Sequence, residues 1–223
     1  MNIKYAFASS LLLKGSTMST MQSRIYLASQ SPRRRELLKQ IGIRFEPLLL
    51  RTNPSRKIDV DETPLSNERP EIYVERLSRE KAQAGFDAVR MRRLQLCPVL
   101  AADTTVTLDG RIFGKPENAR QAEEMLLALS GREHQVMTAV AVAMGDHLES
   151  LISTSTVRFT QLTEERIRRY LQSHEYCDKA GGYAIQGQAA AFIEHIEGSY
   201  SGVMGLPLFE TTQLLRHFDT AAP

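Results

Sequence analysis

Arg24-Ile25-Tyr26-Leu27-Ala28-Ser29-Gln30-Ser31-Pro32-Arg33-Arg34-Arg35-Glu36-Leu37-Leu38 is the stretch that decides how this chain reads. A short apolar run passes through two serines and a proline into helical spacing, which predicts a strand feeding directly into a helix. Ser31 stands where an N-cap belongs, and Pro32 suits the first turn, where no N–H is needed. Three arginines then crowd the end of the helix at which the macrodipole is already positive. Stability alone would favour Asp or Glu there. Two readings fit: a solvated basic turn, or a helix N-terminus, two hydroxyls and guanidinium forks gathered for an anion such as phosphate.

Outward from there, Leu37, Leu38 and Ile41 share one helix face and Gly42 stops it. Ile43 to Leu50 reads as a strand, and Arg51 to Lys57, with Asn53-Pro54-Ser55, as a loop. A long helix is expected from Pro70 to about Arg93, with Tyr73, Leu77 and Ala84 near one stripe and its charged faces solvated. Val99 to Ala102 is a buried strand that continues through Thr104 to Leu108, where Asp109-Gly110 signals a hairpin. Further expectations are a helix over Glu117–Ser130 ending at Gly131, and strands over Gln135–Ala143, Leu151–Phe159 and Ala189–Ile196. A helix capped by Thr163, with Glu164 or Glu165 in its first turn, runs to Ser173, and Pro207 to His217 closes the chain. Interleaved strands and helices together with a hairpin predict an α/β fold with a mixed sheet and flanking helices.

The 223 residues suffice for one large domain or two small ones, and 42% hydrophobic with 24% charged residues is ordinary for a soluble globular protein. A net charge of +2 gives no footprint for nucleic acid. Cys97 reads as core filling and neither cysteine has metal-ligand spacing, so with no secretory signature the expected compartment is the reducing cytoplasm, with no membrane partner. Residues 1–22 carry only a short apolar patch at Leu11 to Leu13 and read as a disordered arm or an over-long gene start.

Asp103 sits where a buried strand emerges, a place at which α/β proteins put ligand chemistry. Taken alone, a turn-capping aspartate is the plainer reading. With Glu62 and Lys115 it becomes a metal–phosphate site in which Glu62 and Asp103 supply hard oxygens for Mg²⁺ or Mn²⁺. Lys115, between Gly114 and Pro116, is a point charge suited to a triphosphate. In Lys179–Gly187, glycines 181, 182 and 187 would let backbone approach a ligand, and Gln186 could read a base edge; a tight bulged strand entry is the alternative. His134 reads as a structural histidine ahead of a general base.

The opening motif resembles that of the Maf family of nucleoside triphosphate pyrophosphatases. So, in family order, do Asp61-Glu62-Thr63-Pro64, Ala101-Ala102-Asp103-Thr104, Gly114-Lys115-Pro116, Leu129-Ser130-Gly131 with His134, Lys179-Ala180-Gly181-Gly182-Tyr183 with Ile185-Gln186-Gly187, and Gly205-Leu206-Pro207. The resemblance implies one catalytic domain over residues 23–219, folded like the inosine triphosphate pyrophosphatases as an elongated mixed sheet with two lobes around a central cleft. It implies hydrolysis of dTTP and UTP to the monophosphate and pyrophosphate, guarding against misincorporated nucleotides, with a divalent metal. Asp103 would be the proton acceptor beside Glu62 and Lys115, and Ser29, Ser31, Arg33 and Arg34 would hold substrate. Arg33, Thr104 and Gln186 match the specificity positions of the dTTP/UTP branch. The 7-methyl-GTP branch has an aromatic residue where this chain has Arg33. A different class of function, a nucleotide-binding regulator of cell division, is also linked to the family. Homodimers occur in it, although no sequence feature here requires one.

Overall fold

The structure, a computed structural model, describes residues 24–51, 59–218 and 220. The expectations for residues 1–22, and for most of the loop at 51–57, lie outside these.

The opening stretch folds as its pattern requires. Strand β1 (Ile25–Leu27) is buried throughout and runs through Ser29–Ser31 into α1 (Pro32–Gln40), whose Leu37 and Leu38 face the core. Strand β2 (Phe45–Pro47) pairs with β1 in parallel and is much shorter than the expected Ile43–Leu50. It can pair only as far as the three-residue β1 extends, and Pro47 has no N–H to continue a ladder. Helix α2 (Pro70–Met91) buries Tyr73, Val74, Leu77, Phe86 and Val89; Ala84 lies beside this stripe and is only half-buried.

Strand β3 (Val99–Leu108) starts parallel to β1, at Tyr26↔Val99 and Leu27↔Leu100, and then leaves it. Asp109 and Gly110, both at positive φ, turn the chain into β4 (Arg111–Phe113), which pairs back onto Val106–Leu108. Helix α3 (Ala119–Leu129) is capped by the Asn118 side chain. Strands β5 (Glu133–Met144) and β6 (His147–Phe159) form a long antiparallel pair, and Thr163 caps α4 (Glu164–Leu171). The expected strand over Ala189–Ile196 is a 3₁₀ turn over Gln188–Phe192, followed by β7 (Ile193–Glu197). Three successive alanines, 189–191, offer none of the β-branched packing that favours extended chain. Helix α5 (Tyr200–Met204), absent from the sequence reading, is too short to show a period; Ser199 caps it and Gly205, at φ 112°, ends it. Helix α6 (Leu208–His217) closes the fold.

The sheet order is β2-β1-β3-β5-β6-β7, with β4 also on β3. Because β5 occupies one edge of β3 continuously, β1 and β4 share the other. Between the last residue paired with β1 and the first paired with β4, Ala101–Thr105 form an edge that no strand among the described residues covers. The packing changes at the same point. Val99 and Ala101 join the core under α2, and Leu100 and Ala102 the core under α1 and α6. Val106 and Leu108 join a separate core with α3, α4 and Phe159. One strand thus runs through two lobes, and Asp103-Thr104 lie at the crossing. No helix among the described residues is long and apolar enough to cross a membrane.

Candidate active site

The open edge of β3 is one wall of a cleft of about 520 Å³. Successive residues of a strand point to opposite faces. Asp103 therefore turns toward α2 and Thr104 toward α1, and at an uncovered edge both still border the cleft.

On the α2 side, charges are chained. Lys81 Nζ lies 2.5 Å from Asp103 Oδ1 and 2.7 Å from Glu62 Oε1, and Lys115 Nζ lies 3.4 Å from Glu62 Oε2. Asp103 Oδ2 has no hydrogen-bond partner among the described residues. The Tyr73 hydroxyl donates to the Glu62 carbonyl at 3.0 Å and fixes that loop; burial, with Asp103 and Glu62 nearby, pushes the phenol up to about 12. Burial also pushes the Glu62 carboxyl up, but the ammonium groups of Lys81 and Lys115 outweigh it and hold it below the usual carboxylate range. Lys81 escapes sequence reading because α2 is studded with charge. The signal was its position: it falls four residues after Leu77 and four before Gly85, on the buried stripe.

On the α1 side, Ser31 occupies the N-cap position, yet its hydroxyl makes no capping bond. Arg33 and Arg34 border the cleft, and Arg35 instead donates to the Gln30 carbonyl at 3.3 Å. Arg34 is a clamp. Its Nε donates to the Gly205 carbonyl at 2.7 Å, Nη1 to the Ala102 carbonyl at 2.6 Å and the Ser29 hydroxyl at 3.4 Å, and Nη2 to the Thr104 hydroxyl at 3.2 Å. The Ala102 carbonyl belongs to the uncovered edge, so Arg34 supplies the donor a neighbouring strand would have given. Burial lowers the guanidinium, opposed by Asp103 and Glu62. Arg33 donates to the Met204 carbonyl at 3.2 Å; burial lowers it too, against the pull of Asp178.

The third wall is the segment from Asp178 to Gln186, where Asp178 lies just outside the segment that the sequence singles out and Lys179 opens it. Gln186 borders the cleft and is exposed. The glycines correct an expectation. Gly181 and Gly182, at φ 69° and 75°, are buried; a Cβ on Gly181 would meet Val106 at 3.0 Å, and Ala122 faces Gly182. Their close approach is to protein, not ligand. The Gly181 N–H also donates to the Gly114 carbonyl at 3.0 Å, tying this wall to the loop of Lys115.

His134 lies behind that wall, buried, with Nε2 2.8 Å from the Tyr183 hydroxyl and its ring edge-on to Phe159. Burial holds its imidazole at about 4, against an ordinary 6.5. Between those values the unfolded chain binds a proton that the folded one does not. Stability is therefore undiminished above about pH 6.5 and falls toward pH 4 with a slope approaching about 1.4 kcal/mol per unit. Urea unfolding between pH 4.5 and 7.5 should show this slope reduced in His134→Gln; an unchanged slope would remove His134 as its source.

Among the described residues no three His, Cys, Asp or Glu gather as a metal site. Two carboxylates nevertheless converge on one ammonium, and Mg²⁺ is commonly held by one or two carboxylates plus substrate phosphates and water. Glu62 and Asp103 fit that donor set.

Comparison with known proteins gives the family. A dTTP/UTP pyrophosphatase of Nitrosomonas europaea is 60% identical over 191 residues, covering 86% of this chain and 92% of that one. The dTTP/UTP pyrophosphatase of Nitrosospira multiformis is 58% identical, covering 89% and 96%, and that of Aliivibrio fischeri 48%, covering 89% and 100%. Among solved structures, the Ham1 protein of Staphylococcus aureus aligns with a TM-score of 0.42 and 18% identity, over 61% of this chain and 72% of that one. The family model described as Maf-like protein matches residues 24–218, and the chain belongs to that family.

Proposed function

We propose that this protein is a dTTP and UTP pyrophosphatase of the cytoplasm, acting on free nucleotides and using a divalent metal. The observation that carries the reading is the Lys115–Glu62–Lys81–Asp103 chain, set on an uncovered strand edge opposite the N-terminus of α1. Five cationic side chains (Arg33, Arg34, Lys81, Lys115, Lys179) border the cleft against three carboxylates (Glu62, Asp103, Asp178), an excess that a polyphosphate would balance.

In this reading the first turn of α1, with Ser29, Ser31 and Arg33, receives phosphate oxygens. Lys115 and Lys81 neutralise charge on the departing pyrophosphate. Asp103 Oδ2 takes a proton from a water whose oxygen attacks the α-phosphorus; the bond from that phosphorus to the bridging oxygen breaks, and pyrophosphate leaves. Mg²⁺ or Mn²⁺ on Glu62 and Asp103 would supply Lewis-acid stabilisation of phosphate charge. Thr104, which accepts from Arg34, and Gln186, exposed on the third wall, also border the cleft and would select the base.

Purified protein should convert dTTP and UTP to monophosphate and pyrophosphate only with Mg²⁺ or Mn²⁺, followed chromatographically beside CTP and 7-methyl-GTP. Turnover of 7-methyl-GTP alone would transfer the same chemistry to a modified purine. No turnover by folded protein, with nucleotide still bound, would make it a nucleotide-responsive regulator.

A further inference from the structure

The turn that carries Gln186 is pinned from behind by one carboxylate. The Gly187 N–H donates to the Ala184 carbonyl at 3.1 Å, closing a turn in which Gln186 is the third residue. Next come Gln188 and Ala189, which open a 3₁₀ turn whose first N–H groups have no partner within it. Glu175 takes both: Oε2 accepts from Gln188 N–H at 2.8 Å and Oε1 from Ala189 N–H at 3.3 Å. The Tyr170 hydroxyl lies 3.3 Å from Oε1 and 3.2 Å from the Gly182 carbonyl and shares its one proton between them. The fit is tight, since a Cβ on Gly187 would stand 2.3 Å from the Glu175 carboxylate. Gln186 makes no side-chain hydrogen bond among the described residues, so its place at the cleft is set by its main chain alone.

We propose that Glu175, which does not itself border the cleft, is a positioning residue for base selection, because its carboxylate fixes the main chain that presents Gln186. The inference rests on the reading of Gln186 as a base contact. Asp103, Glu62, Lys81 and Lys115 are held by other elements, so loss of Glu175 should leave the reacting end of the site in place. Charge-assisted bonds to backbone amides are the strong kind, and freeing the turn lets Gln186 leave the orientation that separates one pyrimidine from another.

The test compares kcat and KM for UTP and CTP in the wild type, Glu175→Ala, Gly187→Ala, their combination, and Gln186→Ala. Losing these bonds should lower kcat/KM for UTP about tenfold, mostly in KM, with a shrinking UTP-to-CTP ratio and kcat within about threefold. Glu175→Gln, which retains an acceptor for one amide, should recover part of the ratio. Gly187→Ala should shrink the ratio similarly, and the double variant should be no worse than the worse single, because removing the carboxylate makes room for the methyl. Equal losses for both nucleotides, or additive effects in the double variant, overturn the positioning role. If Glu175→Ala does not fold, Gly187→Ala decides by the same ratio. Should Gln186→Ala leave the ratio unmoved, the base contact itself is refuted; a ratio moved by Gln186→Ala alone refutes only Glu175.

Discussion

Asp103→Asn is expected to reduce turnover of UTP by a factor of about 10² to 10⁴ at saturating nucleotide and metal, with the fold intact. The substitution is isosteric, and the amide oxygen can still accept from Lys81, whose ammonium lies 2.5 Å from Oδ1. What disappears is the capacity of the second oxygen to take a proton. The loss should therefore fall on kcat more than on KM. Because Asp103 is buried beside Lys81 and Glu62, neutralising it also leaves that ammonium with one carboxylate, and a modest change in melting temperature is expected. Wild-type turnover in saturating metal would sink Asp103 as the proton acceptor.

Arg34→Lys should cost the molecule both stability and activity. The guanidinium spans the Gly205 and Ala102 carbonyls and reaches the Ser29 and Thr104 hydroxyls, joining α1, β3 and the end of α5. An ammonium on a flexible stem has three donors at one point and cannot span these acceptors. Each acceptor left unpaired costs about 1–3 kcal/mol, and water entering from the cleft recovers part of it, so a net loss of about 2–3 kcal/mol is expected. Thr104 loses one of its two orienting contacts, the other being Thr138 Oγ1 at 3.0 Å, and kcat/KM should fall about 10²-fold as the wall loosens. Urea midpoints together with steady-state kinetics test both parts. A variant within about 0.5 kcal/mol of wild type, the usual range for a neutral surface change, would show that the clamp is dispensable.

The sequence made the local grammar legible. Strand, serines, proline and helix at residues 25–40, the Asp109-Gly110 hairpin and the Thr163 cap all depend on short-range chemistry, and all are present. The motif residues Ser29, Ser31, Arg33, Arg34, Glu62, Asp103, Thr104, Lys115 and Gln186 all border one cleft. What stayed hidden depends on pairs distant in sequence. Its place on the buried stripe of α2 sets Lys81 apart from the solvated charges around it, but its partners are 19 and 22 residues away, on other elements. Arg34 reads as a phosphate ligand, and its bonds to the carbonyls of Ala102 and Gly205 emerge only in the fold. Glycines 181 and 182 suggest ligand approach, and only the fold reveals Val106 and Ala122 filling that space.

The uncovered stretch of β3 has one more consequence. A bare strand edge invites a foreign chain to add itself by main-chain pairing, a route to aggregation. Here the invitation is withdrawn by construction. Only Ala101–Thr105 are bare, β1 and β4 block the edge on either side, and the Arg34 guanidinium already occupies the Ala102 carbonyl. A small anionic ligand can lie across so short a gap, whereas another polypeptide finds no length along which to zip, so the protein keeps an open edge for chemistry without offering it as a seed for self-assembly.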